Sequence, residues 1–156
     1  MVTTSEQLKT KQEFIQLCEN ILLERIASST SAMQHAQESA NSEDKNSAGD
    51  KYETGRAAGQ LESEMHGVNL KKHRVDLAVL KTIDPKIIHT LCGLGAAIRC
   101  EGFFFFISLG LGAATHPLGK IFMLSPQAPI AIVLKGKKTG DSFLMNGRQV
   151  KILEVF

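Results

Sequence analysis

The 156-residue chain is 43% hydrophobic and 22% charged, which is typical of a folded protein and excludes wholesale disorder. Its net charge of +2 is too small for a dedicated nucleic-acid-binding protein, because such proteins usually carry a strong basic excess. The longest apolar run, residues 103–115, is shorter than the roughly 20 residues that a membrane span needs.

The N-terminal residues are polar, so we expect no signal peptide. The three cysteines show no CxxC spacing, which favours reduced thiols and a cytoplasmic location. The five histidines have no metal-ligand spacing such as HExxH, so we expect no zinc site.

The chain changes character near Ile83-Asp84-Pro85. Residues 1–82 carry a net charge of −2 and no proline, whereas residues 83–156 carry +4 and all four prolines. We therefore predict two domains, at 1–82 and 83–156, with different kinds of secondary structure.

Two helices are predicted in the first domain from apolar residues spaced three, four or seven apart. The first apolar stripe consists of Leu8, Ile15, Cys18, Leu22, Ser29, Met33, Ala36 and Ala40. The second stripe has a heptad spacing and consists of Ala58, Leu61, Met65, Val68, Lys72, Val75, Val79 and Thr82. The residues between the helices are polar turn formers, so we predict an antiparallel coiled-coil hairpin whose tip lies near 41–53. The alternative is two helices of a bundle.

The second domain is predicted to be a small, mostly antiparallel sheet with one short helix, which makes the whole chain α+β. Strands are expected at 103–107 and 120–124, where aromatic and β-branched residues are frequent. Pro129 opens a predicted short helix within 128–134. Asn146-Gly147 separates two further strands and is the strongest short hairpin signal.

Three segments of the second domain resemble the C-terminal domain of the GreA and GreB transcription elongation factors. The segments are LSPQAPIA at 124–131, LKGKKTGD at 134–141 and VKILEV at 150–155. The resemblance implies an FKBP-like fold for residues 83–156, placed after a coiled-coil hairpin. It also implies a bacterial cytoplasmic protein with RNA polymerase as its partner and only indirect contact with nascent RNA. The polar hairpin gives no strong reason for a dimer, so we expect a monomer.

Gre factors insert their hairpin into the secondary channel of RNA polymerase and stimulate cleavage of backtracked transcripts. The resemblance thus implies an accessory factor that is not itself an enzyme and has no cofactor of its own. Tip carboxylates would help to hold a Mg²⁺ ion at the polymerase active site, because Mg²⁺ prefers carboxylate and phosphate oxygens.

The tip departs from the family pattern. If Tyr52 and Arg56 are matched to the family's Tyr and Arg, Lys45 and Ala48 fall where the catalytic acids usually lie. We predict that Asp50 and Glu53, three residues apart at a helix start, form a displaced equivalent pair that also binds the shared Mg²⁺. The alternative is that both acids only stabilise the helix N-terminus. Glu43 and Asp44 are lower-ranked candidates.

Six residues are predicted to contact the polymerase: Tyr52, Arg56, Ser125, Pro126, Lys137 and Lys138. The alternative is that Lys137 and Lys138 simply form a solvated basic loop. A second functional hypothesis is a channel regulator or inhibitor that does not stimulate cleavage. A third, less favoured, is a prolyl isomerase or chaperone built on an FKBP-like domain.

Overall fold

The computed structural model describes residues 3–43 and 50–156, and for positions 42, 43 and 50–53 the description covers the backbone alone. Within these ranges lie the helices α1 (Thr4–Glu43), α2 (Asp50–Lys81) and α3 (Pro129–Leu134). The strands are β1 (Ala97–Cys100), β2 (Phe103–Ile107), β3 (Gly112–His116), β4 (Gly119–Leu124), β5 (Ser142–Met145), β6 (Arg148–Lys151) and β7 (Glu154–Val155). No helix in the described part of the chain is both long and apolar enough to cross a membrane.

The α+β class predicted from the sequence is confirmed. Five strands form a sheet in the order β3-β4-β2-β1-β7, and β5 and β6 form a separate pair. All neighbouring strands are antiparallel except β2 and β4, which run parallel with Phe104 opposite Ile121. The predicted mostly antiparallel sheet is therefore correct, with one parallel pair that the sequence did not indicate.

The predicted turn at Asn146-Gly147 is present between β5 and β6. Both residues have a positive φ, 52° for Asn146 and 77° for Gly147. Two consecutive positive φ angles characterise the type I′ hairpin turn, and Asn followed by Gly is the pair that adopts them at least cost.

The phenylalanines of β2 alternate between two faces of the sheet, as side chains of a strand must. Phe105 packs into a core with Leu134 of α3, Phe143 of β5 and Ile152. Phe104 and Phe106 lie on the opposite face, where the first turns of α1 cover them. The ring of Phe14 lies 5.1 Å from that of Phe104 and 5.9 Å from that of Phe106.

Polar contacts also attach the start of α1 to the strand-rich part of the chain. The buried Lys11 ammonium donates to the carbonyl oxygen of Ile87 at 2.7 Å. The carboxylate of Glu13 lies 2.5 Å from Nε2 of the buried His116. The Gln7 amide donates to Glu154, which also accepts from Arg99 Nε at 3.0 Å.

The compact units of the structure do not coincide with the predicted ranges 1–82 and 83–156. One unit comprises Met1–Asn20 together with Val79–Phe156, and the other comprises Ile21–Ala78. The first five turns of α1 therefore belong to the same unit as the sheet, because their apolar face covers Phe104 and Phe106.

Within the second unit, α1 and α2 form the predicted antiparallel pair. A Cβ atom built on Gly59 would lie 3.0 Å from Cβ of Ala40, and one on Gly67 would lie 3.6 Å from the sulfur of Met33. The contacted residue of α1 moves from Ala40 back to Met33 as the position on α2 advances from Gly59 to Gly67, so the two helices run antiparallel. Small side chains at Ala36, Ala40 and Gly59 allow the close approach of the two backbones.

The predicted heptad stripe of α2 is wrong. Leu61, Met65, Val68 and Val75 are 59%, 61%, 69% and 54% exposed. The face of α2 that lies against α1 instead carries Gly59, Ser63 and Gly67, and the Ser63 hydroxyl donates to the carbonyl oxygen of Met33. The predicted stripe therefore lies on the side of α2 that faces away from α1.

Replacement of Phe14 by alanine should destabilise the protein by about 3–5 kcal/mol, because it leaves a cavity over Phe104 and Phe106. Urea unfolding followed by circular dichroism measures the change. Leu23→Ala on the same helix is the control, since Leu23 is 46% exposed and should cost far less. Equal losses in the two variants would contradict the role assigned to Phe14.

The buried Lys11 should make stability depend on pH in the alkaline range. Burial lowers its pKa from 10.5 to about 8, and the nearby Asp84 opposes this shift. Between these pH values the unfolded chain binds more protons than the folded one, so the free energy of unfolding should rise with pH. Lys11→Met should lack this rise, whereas Lys9→Met, at an exposed position, should retain it. Urea titrations between these pH values test the difference, and parallel curves for all three proteins would contradict it.

Gly59→Val should destabilise the helical pair by about 1–3 kcal/mol, because the added atoms meet Ala40 and the carbonyl oxygen of Ala36. Ala58→Val introduces the same side chain at an exposed neighbouring position and should be nearly neutral. Thermal unfolding distinguishes the two variants. A larger effect at Ala58 would restore the heptad interpretation of α2.

Candidate functional site

The predicted acidic tip lies outside the described residues. Asp44 falls between the two described ranges, and the side chains of Glu43, Asp50, Tyr52 and Glu53 are likewise not described. The backbone places Glu43 at the end of α1 and Asp50 at the start of α2. The assignment of Asp50 and Glu53 as a Mg²⁺-binding pair stays a prediction.

Arg56 lies on α2 two turns from its first residue, at an exposed position. Whether it contacts a polymerase stays a prediction.

Ser125 and Pro126 form the turn that leads from β4 into α3. The carbonyl oxygen of Ser125 accepts a hydrogen bond from the backbone N–H of Ala128 at 3.1 Å. Pro129 then occupies the first turn of α3, where its missing N–H costs nothing. This turn leaves Pro126 exposed beside one face of α3.

A groove of about 540 Å³ lies along that face of α3. Its lining includes Leu94, Ile107, Pro126, Ala131, Ile132 and Lys135. Leu94 and Ile132 are 47% and 62% exposed, so large apolar side chains meet water around the groove. Apolar side chains gathered around one groove are typical of a surface that binds another molecule.

The segment around Leu91 brings the predicted basic turn alongside this groove. The N–H of Cys92 donates to the carbonyl oxygen of Lys137 at 2.8 Å, and the N–H of Gly136 donates to that of Cys92 at 3.1 Å. Leu91 forms an isolated antiparallel bridge with Lys138 and is 52% exposed. Gly136, with a φ of 80°, permits the sharp turn between Lys135 and Lys137.

We call this region the Pro126 surface and define it by Leu91, Leu94, Pro126, Ile132 and the lysines at 135, 137 and 138. Its exposed apolar side chains offer anchoring area, and its lysines supply positive charge beside that area. This combination suits a protein partner that presents apolar side chains flanked by carboxylates.

A second groove of about 460 Å³ lies beside the other exposed side of α3. Phe105, Phe122, Ile130, Val133, Leu144 and Met145 line it. Leu144 is 68% exposed and Val133 is 46% exposed. This groove is mostly apolar, and unlike the first it has no lysine in its lining.

The thiols and histidines do not form a catalytic constellation within the described residues. Burial raises the pKa of Cys18 and Cys92 to about 11 and that of Cys100 to about 12, which keeps all three thiols protonated and poorly nucleophilic. Across the described ranges, no three His, Cys, Asp or Glu side chains lie close enough together to hold a metal ion.

The chain matches no known protein family and no curated protein. The resemblance to Gre factors therefore rests on the three sequence segments at 124–131, 134–141 and 150–155. Two of these segments supply Pro126, Ala131, Lys137 and Lys138 to the Pro126 surface or its groove.

The sequence predicted Pro126, Lys137 and Lys138 as partner-contacting residues. It gave no signal for the exposed apolar side chains that lie with them in the Pro126 surface. Leu91 and Leu94 lie in a segment for which the sequence predicted no functional role. Ile132 lies in the predicted short helix, and its outward direction depends on how α3 packs on the sheet.

Proposed function

We propose that this protein is a Gre-type accessory factor of bacterial RNA polymerase. The helical hairpin would enter the secondary channel, and the Pro126 surface would dock beside the channel entrance. The strand-rich part of the chain would adopt the FKBP-like fold that this family uses. The protein would act in the cytoplasm and would complete the polymerase active site without being an enzyme itself.

The observation that carries this proposal is the position of the Gre-like segments. Two of the three lie at one exposed apolar and basic surface, and a long antiparallel helical pair precedes all three in the chain. A resemblance confined to buried residues would support a shared fold, whereas exposed residues at the motif support a shared partner.

The hairpin would deliver carboxylates to the polymerase. Asp50 and Glu53 would help to hold a Mg²⁺ ion, which the transcript phosphates and polymerase carboxylates would also bind. A second metal ion stabilises the attacking and leaving oxygens of an in-line displacement, so cleavage of the transcript would accelerate. Contact with nascent RNA would be limited to the reacting 3′ end.

Ile132→Asp should weaken binding to core RNA polymerase at least about tenfold, because it puts a charge into the apolar part of the Pro126 surface. Leu144→Asp is the matched control, since Leu144 is similarly exposed but lies at the second groove. Binding is measured by fluorescence anisotropy of the labelled full chain. Absence of binding by the wild type would refute the proposed partner, and equal losses in both variants would refute the proposed surface.

The Asp50→Asn/Glu53→Gln double variant should bind polymerase normally but lose stimulation of transcript cleavage. The matched control is Glu24→Gln/Glu38→Gln, which removes two carboxylates from exposed positions of α1. The assay follows shortening of labelled RNA in backtracked elongation complexes. Full stimulation by the double variant would exclude Asp50 and Glu53 as the metal-binding acids.

A second candidate function is a polymerase-channel regulator that does not stimulate cleavage. Lys45 and Ala48 favour it, because they occupy the positions where the family's catalytic acids are expected. Wild-type binding without any RNA shortening would support this function. The apolar second groove is the only feature among the described residues that favours the prolyl-isomerase alternative, and a proline-isomerisation assay on a model peptide tests it.

A further inference from the structure

The outer side of α2 carries an apolar stripe that no described element covers. Leu61, Met65, Val68 and Val75 are each more than half exposed, and Lys72 interrupts them. We call these five residues the outer stripe. Helix α1 contacts α2 at Gly59, Ser63 and Gly67. At 3.6 residues per turn these three residues lie about half a turn away from the outer stripe, so α1 packs on the opposite side of α2.

The spacing of the outer stripe indicates a helical partner. Its members follow one another by four, three, four and three residues, which is the heptad repeat of a two-stranded coiled coil. In heptad notation Leu61, Val68 and Val75 occupy d positions, while Met65 and Lys72 occupy a positions. Surface helices of a monomer do not need this regularity on a solvent-facing side.

The charges beside the outer stripe fit a second copy of α2 in parallel register. In a parallel pair, each g residue meets the e residue five positions later on the other helix. Lys71 at g would then meet Asp76 at e in both directions, giving two attractive pairs. The other pairings, of Glu64 with Asn69 and of Ala57 with Glu62, contain no like charges.

One antiparallel register, in which Val68 lies opposite Lys72, is disfavoured by the same residues. In that arrangement e residues face e residues and g residues face g residues. Glu62 would meet Asp76, and Lys71 would meet Lys71 of the other copy. Like charges in these positions oppose association, so this antiparallel register is less favourable than the parallel pair.

We propose that the outer stripe is a homodimerisation surface, on which α2 pairs in parallel with α2 of a second copy of this chain. The dimer places the two α2 helices in the middle and leaves each α1 on its own side. The pairing is weak and reversible, because the stripe is short and Lys72 meets its own copy at an a position. This inference does not depend on the proposed polymerase function.

Sedimentation equilibrium of the full chain from about 5 to 500 μM tests the proposal, since a weak dimer forms within this range. We expect a monomer–dimer equilibrium. Leu61→Lys/Val68→Lys should weaken it about 100-fold or more, whereas Leu23→Lys, an exposed leucine of α1 outside the stripe, should leave it unchanged. Lys72→Leu should strengthen it about tenfold or more, because it replaces a repelling pair by an apolar one.

Charge reversal tests the orientation. Lys71→Asp and Asp76→Lys should each weaken the dimer, and the double variant should restore it, because attractive pairs then re-form with the signs exchanged. Circular dichroism confirms that each variant retains its helices. A monomer at every concentration, a dimer insensitive to the stripe variants, or a double variant as weak as the single ones would overturn the proposal.

Discussion

The packing of Phe14 on Phe104 and Phe106 is the contact on which the architecture depends. A five-stranded sheet has two faces, and the core with Leu134, Phe143 and Ile152 covers only one of them. The other face carries two phenylalanines that water would otherwise reach. The start of α1 covers them, and the bonds from Lys11 and Glu13 fix the helix in place. Because α1 is one continuous helix to Glu43, the same element that completes the sheet unit also forms half of the helical pair.

Short side chains govern the helical pair itself. Gly59 and Ala40 allow backbones to approach so closely that one added carbon atom would meet a neighbour at 3.0 Å. This packing requires small residues on the inner side of α2. Leu61, Met65, Val68 and Val75 lie exposed on the outer side, whereas Leu70 and Leu80 of the same helix are buried. The packing of α1 on the side of α2 that carries Gly59 leaves the heptad-spaced residues of the outer stripe exposed.

The Pro126 surface combines residues from several segments of the chain. The lysine-rich turn alone would be a solvated loop, as basic turns commonly are. Backbone hydrogen bonds between the segment at Cys92 and the turn at 136–138 place apolar Leu91 beside it. Pro126 of the β4–α3 connection and Ile132 of α3 complete the surface. The proposed docking function rests on this juxtaposition of charge and apolar area, which neither segment has by itself.

The sequence by itself determined the elements whose signals are local. Asn146-Gly147 specified a hairpin turn because both residues accept positive φ, and Pro129 marked the start of α3 because its φ suits a first helical turn. The stripe of α1 was also predictable, since Cys18, Leu22, Ala36 and Ala40 are all buried. Only the tertiary structure decided which side of α2 faces α1, that the start of α1 joins the sheet, and that Leu91, Leu94 and Ile132 lie with the Gre-like segments. These features depend on contacts between residues far apart in the chain, and the spacing within one helix or strand does not identify which other element of the chain packs against it.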